Sequence, residues 1–366
     1  TGCSQRAAGA VVLAIALALA DAAWRGVLWP SENAARWLHP VLLLAPFVFA
    51  ARYLRWRGAQ YLLLAAALFY AALLLPENFR AAPFAAWGIL AAHTALAAWL
   101  LSDKQEDAGG FPAAVHAAAL LLFGLLWQKL VFQTASLWLG GVWLQLTWLT
   151  VPAAYLLLSA KARPALFERH PAAYRVFGGT ACALAAAAWL LWANFSAPRA
   201  PAPLPYLPVF NPLELAAAAL LWFGFAALPR LGRNENARRA GFYALCAAAF
   251  LTISAGVMRL WHFYGGTAWR ADALLRSVGL QAGLSVVWAL AAIVLMVSGN
   301  RSGRRARWMA GAVLMGVVVV KLFLVELGNS GGIERIASFI IVGLLLLLVS
   351  WFTPVPPREG EGGGDE

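Results

Sequence analysis

Apolar residues run along this chain in stretches of about twenty, separated by short loops that carry most of the arginines. A twenty-residue helix is about 30 Å long, which matches the hydrocarbon core of a bilayer. The apolar residues fill whole turns rather than one face, so they predict helices in lipid. The candidate spans number twelve: 7–28, 38–54, 58–75, 83–102, 113–132, 136–159, 175–194, 213–229, 240–261, 278–298, 308–327 and 335–352. The predicted fold is all-α, a polytopic helical membrane protein.

Composition and charge support this fold and set its orientation. The chain is 62% hydrophobic and only 12% charged, against about 25% charged in soluble domains. Of the 28 Lys and Arg residues, 18 lie in one set of alternate loops and termini, 8 in the other and 2 inside spans. The positive-inside rule then predicts both termini in the cytoplasm. The net charge of +12 is explained by these loops, so we predict no nucleic-acid partner.

The domain organisation is predicted less sharply. Residues 1–353 form the transmembrane helical domain, either as one bundle or as two sub-bundles, 1–200 and 201–353. A hairpin repeat near 213–332, at an offset of 66 residues, arises from duplication or from topology alone. The acidic, Gly-rich segment 354–366 is predicted to be a disordered cytoplasmic tail.

One loop ends in a clear helix-start pattern. Asn211, Pro212 and Glu214 occupy the positions of an N-cap, a first helical residue and a third helical residue. The pattern predicts a capping role for the carboxylate of Glu214.

Five motifs resemble a bacterial family of predicted multi-pass membrane proteins catalogued as domain of unknown function 2339. They are PVFNPLEL at 208–215, RLWHFYGG at 259–266, LSVVWAL at 284–290, VKLFLVE at 320–326 and ERIASF at 334–339. The resemblance covers the C-terminal part of the chain, from Pro208 onward. It implies a multi-pass architecture in the bacterial inner membrane and, because family members are longer, a truncated start. It implies no activity.

Several basic residues are predicted on the outer side, where positive-inside counting leaves few. Lys321 lies inside an apolar span, about 9 Å from its outer end. Its ammonium either reaches the interface or has an internal partner. Arg259 and His262 share a helix face among aromatic residues. Lys129 lies near the outer end of its own span, and Arg335 is a predicted partner of Glu326 across a glycine-rich turn.

These residues suggest three functions. The leading hypothesis is an outer recess that binds or moves an anionic envelope lipid or glycan intermediate, lined by Arg259, His262, Lys321, Arg335, Glu326 and Lys129. The second is a lipid-linked-sugar glycosyltransferase-like enzyme whose base is Asp21, Glu32 or Glu77. The third is a structural scaffold with membrane-protein partners. The sequence predicts no metal site and no cofactor, since it has no metal-ligand or phosphate-loop motif.

Overall fold

The structure is a computed structural model that describes residues 33–53, 57–102, 113–162, 164–231 and 235–322, together with the single residues 16, 340, 343, 344 and 347. The described residues form helices and connecting turns and contain no β-strand. The chain divides into two compact units. Unit one is Thr1–Ala193 with Pro201–Pro203, and unit two is Asn194–Ala200 with Leu204–Glu366.

Unit one contains eight α-helices within the described ranges. They are α1 (Asn33–Tyr53), α2 (Arg57–Ala72), α3 (Pro83–Leu101), α4 (Ala113–Ala135), α5 (Gly141–Leu146), α6 (Thr150–Leu157), α7 (Ala165–Arg169) and α8 (Gly178–Phe195). Short 3-10 segments lie at Phe79–Ala81 and Thr147–Leu149, and π-helical segments at Leu158–Ala162 and Ala172–Phe177. α1 contains Pro40 and Pro46, which neighbouring helices make tolerable in a membrane.

The core of unit one lies among α1 to α4. Leu63 of α2 and Leu126 and Leu130 of α4 are completely buried. One cluster joins α1 and α2 to the C-terminal half of α3, and a second joins α1 and α4 to the N-terminal half of α3. These four helices therefore bury their contacts along their whole lengths.

The span predicted at 136–159 is helical from Gly141 onward, and its helix type changes along its length. The chain turns at 136–140, and α5 begins only at Gly141, which has a positive φ of 55°. The Thr147 hydroxyl donates to the carbonyl of Leu144, and the Thr150 hydroxyl donates to the carbonyl of Thr147. Side chains that bind local carbonyls compete with regular helix bonding, and Pro152 lacks an N–H for it. These residues explain why a 3-10 turn lies between α5 and α6 within this helical stretch.

Unit two contains five described α-helices: α9 (Pro212–Ala227), α10 (Glu235–Tyr264), α11 (Ala271–Arg276), α12 (Val278–Arg301) and α13 (Arg305–Lys321). α12 and α13 pack very closely. A Cβ atom added to Gly311 would lie 2.7 Å from the carbonyl oxygen of Ala292, and one added to Gly299 would lie 2.5 Å from the backbone nitrogen of Trp308. Glycine at these contacts lets two backbones approach, as in membrane helix pairs.

The described helices agree with most of the predicted spans. Every predicted span on described residues overlaps helical structure, and the span 136–159 corresponds to the apolar helix Gly141–Leu157. Within the described part of the chain, five helical segments are long and apolar enough to cross a membrane: Pro83–Leu101, Ala113–Ala135, Ala172–Phe195, Glu235–Tyr264 and Val278–Arg301. Apart from the single residues 16, 340, 343, 344 and 347, the predicted spans 7–28 and 335–352 and the tail 354–366 lie outside the described residues. The fold is thus helical and membrane-like.

Candidate functional site

Glu214 and Arg259 form an ion pair inside unit two. The Nε atom of Arg259 donates to Oε1 of Glu214 at 3.1 Å. The Tyr206 hydroxyl donates to the same oxygen at 2.8 Å, and the backbone N–H of Val209 donates to Oε2 at 2.6 Å. Three donors, two from the loop before α9 and one from α10, therefore fix the orientation of one carboxylate.

The start of α9 positions Glu214. Asn211 is the N-cap, and its Oδ1 atom accepts the N–H of Leu213 at 2.9 Å. Pro212 occupies the first helical position, as the sequence predicts. The carboxylate of Glu214 turns back to the loop before the helix, where it binds the N–H of Val209 rather than that of Asn211. Glu214 thus fixes the loop before α9 through a hydrogen bond. It also forms an ion pair with Arg259 that its position in the sequence did not predict.

Arg259 is buried with part of its guanidinium unused. Its side chain is 3% exposed and that of Glu214 is 11% exposed. The Nη1 and Nη2 atoms of Arg259 are buried and have no hydrogen-bond partner among the described residues. A buried charged donor without an acceptor is costly, about 1–3 kcal/mol or more for each group. These two nitrogens are the part of the site that can still bind an acceptor.

Tyr206 closes one side of the pair. Its ring stacks on Phe263 at a centroid distance of 4.3 Å, and the Tyr264 hydroxyl donates to its backbone carbonyl at 2.7 Å. Burial raises the pKa of the Tyr206 hydroxyl, and its hydrogen bond to Glu214 raises that pKa further. The hydroxyl therefore keeps its proton and remains a donor to the carboxylate.

Val209 shows that the loop is constrained. Its φ is 69°, in the left-handed region that valine rarely adopts. The side chain is 68% exposed, so packing does not explain the conformation. The hydrogen bond from its N–H to Glu214 is the contact that this backbone geometry makes possible. Such strain is typical of segments that the surrounding structure over-determines.

Lys321 points inward, onto α12. Its Nζ atom donates to the backbone carbonyl of Gln281 at 2.8 Å and to the Ser285 hydroxyl oxygen at 2.7 Å. It also lies 5.9 Å from the centroid of the Trp288 ring, within the range of a cation–π contact. Of the two alternatives left open by the sequence, the structure supports an internal partner.

Arg259 and Lys321 lie at the same end of unit two. Trp261, two residues after Arg259, packs against Gly279 and Gly283 of α12. Lys321 contacts the same turns of α12, at Gln281. The two arginine-rich connections, before α10 and before α13, lie at the other ends of these helices. The structure thus brings these two predicted site residues to one end of the unit without joining them to a common atom.

His262 supports the turn after α10. Its Nδ1 atom lies 2.8 Å from the backbone carbonyl of Thr267. Its ring also packs edge-on against Trp269, with centroids 6.2 Å apart. The exposed Arg270 pairs with Asp272 at 2.8 Å on the neighbouring surface. Arg270 holds the pKa of the Asp272 carboxyl below its ordinary value through this hydrogen bond.

Lys129 lies in unit one and holds the end of α2. Its Nζ atom donates to the backbone carbonyls of Leu75 and Glu77 and lies 5.2 Å from the Phe79 ring centroid. The carboxylate of Glu77 accepts the indole N–H of Trp37 at 3.1 Å. Lysine side chains commonly satisfy carbonyls at a helix end, and these contacts give Lys129 such a role.

Four of the predicted site residues lie outside the described part of the chain: Asp21, Glu32, Glu326 and Arg335. Their predicted roles stay predictions.

The sequence did not identify two groups of residues that the structure brings together. In the first group, Tyr206 and Glu214 contact Arg259. An antiparallel arrangement of α9 and α10 could have suggested this contact, because it brings the start of α9 next to the end of α10. His116 stacks on His170 at 3.9 Å, and its Nδ1 atom lies 3.1 Å from the Tyr174 hydroxyl. No spacing in the sequence links His116 to the other two.

A family model matches residues 5–356, and the family is described as predicted membrane protein (DUF2339). The match extends over nearly the whole chain, well beyond the C-terminal part that the sequence motifs indicated. No curated protein and no solved structure matches the chain.

Proposed function

The chain belongs to the DUF2339 family of predicted membrane proteins, and from this premise we propose that unit two binds the anionic headgroup of a membrane lipid. The ligand class is an envelope lipid or a lipid-linked glycan intermediate that carries a phosphate or carboxylate. Arg259 is the residue that contacts it. Binding, or binding followed by movement of the lipid, is the function that the geometry supports best.

The observation that carries this proposal is the buried guanidinium of Arg259. Its Nε atom is used by Glu214, and its Nη1 and Nη2 atoms have no acceptor among the described residues. Two parallel N–H groups of arginine match the oxygens of a phosphate or carboxylate in a bidentate arrangement. Glu214 holds the guanidinium in place through Nε. Since Nη1 and Nη2 are buried, the headgroup in this proposal reaches them when neighbouring side chains move apart.

The other basic residues of unit two contribute charge rather than direct contacts. Lys321 is bound to α12 and His262 to the turn after α10. A fixed ammonium near the site raises the local positive potential and favours an anion. Arg335 and Glu326 complete the site in this proposal. Lys129 belongs to unit one, where it holds the end of α2.

We place the Arg259 end of unit two on the outer side of a bacterial inner membrane. The arginine-rich connections at 230–239 and 301–307 then face the cytoplasm, as the positive-inside rule requires. This orientation is the one that the proposed twelve-span topology, with both termini in the cytoplasm, requires. The ligand would then be a lipid of the outer leaflet.

The enzyme and scaffold alternatives have less support. Of the three carboxylates proposed as a base, only Glu77 is described, and its carboxylate accepts a hydrogen bond from the indole N–H of Trp37. A general base must reach its substrate within hydrogen-bond distance, and no described contact of Glu77 suggests a substrate. The scaffold alternative leaves the unpaired nitrogens of Arg259 unexplained.

The test compares lipid binding by two arginine-to-lysine variants. The protein is placed in nanodiscs of phosphatidylglycerol or phosphatidylcholine, and bound lipid is counted by native mass spectrometry. Arg259→Lys keeps the charge and an ion pair with Glu214 but removes the two-nitrogen fork, so retention of phosphatidylglycerol should fall by about tenfold or more. Arg270→Lys, on an exposed ion pair, is the control and should bind as the unmodified protein does. Equal retention by Arg259→Lys and Arg270→Lys would refute the proposal.

A further inference from the structure

Unit one contains an apolar cleft that the proposed function does not use. It lies between α4, α6 and α8 and has a volume of about 590 Å³. Leu121 and Leu125 of α4, Val151 of α6 and Ala185 and Trp192 of α8 are among the residues that line it. Cavities of about 300–1,000 Å³ are typical of sites for small organic ligands.

The walls belong to helices with membrane character. α4 and the segment that ends in α8 are both long and apolar enough to cross a bilayer, and α6 belongs to a shorter apolar helix. The described residues that line the cleft include no Lys, Arg, Asp or Glu. A charged headgroup would therefore lack a counter-charge in the cleft, whereas a hydrocarbon chain matches its walls.

Most polar groups on the walls are already engaged. The Tyr155 hydroxyl donates to the backbone carbonyl of Tyr174, and the indole N–H of Trp189 donates to the carbonyl of Gln145 at 2.8 Å. Neither group is therefore in need of a ligand.

Gln128 is the exception. Its Nε2 atom donates to the backbone carbonyl of Thr147 at 3.0 Å. A carbonyl only accepts hydrogen bonds, so this contact fixes which end of the amide is the nitrogen. The Oε1 atom is then an acceptor, and it is buried with no partner among the described residues. The residue is 9% exposed and lines the cleft. The cleft therefore has one unpartnered acceptor at its wall and no charged side chain among the described lining residues.

We propose that the cleft binds one hydrocarbon chain of a neutral lipid that carries a hydroxyl group, with the hydroxyl donating to Oε1 of Gln128. Diacylglycerol is the simplest lipid of this class. Oε1 is covered in the structure, so this contact requires side chains at the wall to move apart. This site lies in unit one and does not depend on the anionic site at Arg259.

The experiment uses photo-crosslinking to the full-length chain in detergent. The probe is diacylglycerol with a diazirine in one acyl chain, and labelled peptides are mapped by mass spectrometry. Label is expected on residues 120–128 and 181–192. Ala185→Leu fills the cleft, while Ala187→Leu places the same side chain on an exposed position of α8 that does not line it. Labelling at these peptides should fall roughly tenfold in Ala185→Leu and stay unchanged in Ala187→Leu.

A second variant guards against misfolding. A Cβ atom added to Gly124 meets nothing within 4 Å, and the same is true of Gly88, which lies outside the cleft. Gly124→Leu should lose labelling, and Gly88→Leu should keep it. All four variants are checked for an unchanged elution volume and melting temperature. The result is taken from whichever pair, Ala185→Leu with Ala187→Leu or Gly124→Leu with Gly88→Leu, is folded by both criteria.

The hydroxyl is tested on the ligand rather than on Gln128. Unlabelled diacylglycerol should compete with the probe roughly two- to tenfold better than its acetylated form, because one neutral hydrogen bond is lost. Equal competition by the two lipids would overturn the role of the hydroxyl. Label spread evenly over all helices, or unchanged by Ala185→Leu and Gly124→Leu, would mean lipid contact only and would overturn the site. Neither readout involves Arg259, so these failures are distinct from failure of the anionic site.

Discussion

The Nε atom of Arg259 lies 3.1 Å from Oε1 of Glu214, while the two terminal nitrogens of the same guanidinium meet no acceptor among the described residues. The pair therefore neutralises the charge of Arg259 while it uses only the Nε–H donor of the guanidinium. In a purely structural ion pair, both the charge and the hydrogen-bond donors of the arginine are normally satisfied, because every unpaired buried donor is costly. This asymmetry is why we interpret the pair as a binding site.

Removing the carboxylate should destabilise the protein strongly. Glu214→Gln leaves Arg259 buried without a counter-charge, and breaking a buried pair in this way costs about 3–5 kcal/mol. The free energy of unfolding, measured by denaturation in mixed micelles, should fall by that amount. Glu235→Gln is the control, since Glu235 pairs with Arg239 on the surface with 65% of its side chain exposed. It should change stability by less than about 1 kcal/mol. A loss of similar size in both variants would contradict the account.

Alkaline pH should weaken the cluster through Tyr206. Burial and Glu214 raise the pKa of its hydroxyl above the ordinary value of 10.0, so the folded state favours the protonated form. Its contribution to stability is then complete below pH 10 and declines as the pH rises above that value. The melting temperature of the wild type, measured between pH 8 and 12, should fall more steeply than that of Tyr206→Phe. Parallel curves would show that the hydroxyl is not coupled to the fold.

Lys321 and Ser285 should be energetically coupled. The ammonium donates to the hydroxyl oxygen at 2.7 Å. A double-mutant cycle with Lys321→Met and Ser285→Ala should give a coupling free energy of about 0.5–2 kcal/mol. The matched cycle replaces Ser285→Ala with Ser298→Ala, because Ser298 binds a carbonyl of its own helix. That second cycle should give a value near zero, and equal values in both cycles would argue against the contact.

The close packing of α12 and α13 predicts opposite effects at two glycines. A Cβ atom at Gly311 would lie 2.7 Å from the carbonyl oxygen of Ala292, whereas one at Gly316 meets nothing within 4 Å. Gly311→Ala should therefore lower the free energy of unfolding by about 1–3 kcal/mol. Gly316→Ala should leave it unchanged or raise it by up to about 1 kcal/mol, because alanine favours helix. Stabilisation by both substitutions would mean that the helices are further apart than the structure indicates.

Much of the helical architecture could be predicted from the sequence because lipid imposes a simple rule. Long apolar stretches must form helices in a bilayer, and α3, α4, α10 and α12 lie close to their predicted positions. The start of α9 was also predictable, since Asn211 and Pro212 act locally. The span predicted at 136–159 corresponds to the apolar helix Gly141–Leu157. Hydropathy did not show the turn at 136–140 or the change of helix type at Thr147–Leu149, where Thr147 and Thr150 bind local carbonyls.

The partners of the polar residues could not be predicted in the same way. Arg259 and Glu214 are 45 residues apart, and hydropathy contains no information about which helix faces meet. Lys321 illustrates the same limit. Its position in the sequence left the interface and an internal partner equally open, and packing of α13 against α12 decided between them.

The central claim, that Arg259 binds an anionic lipid group, is tested most directly by an electron cryomicroscopy map of the protein in phosphatidylglycerol nanodiscs. The account predicts headgroup density within about 2.7–3.2 Å of both Nη1 and Nη2 of Arg259, the range of charge-assisted hydrogen bonds. The same density should be absent from a map of Arg259→Lys. A map in which these nitrogens bind only a protein group or an isolated water would contradict the claim.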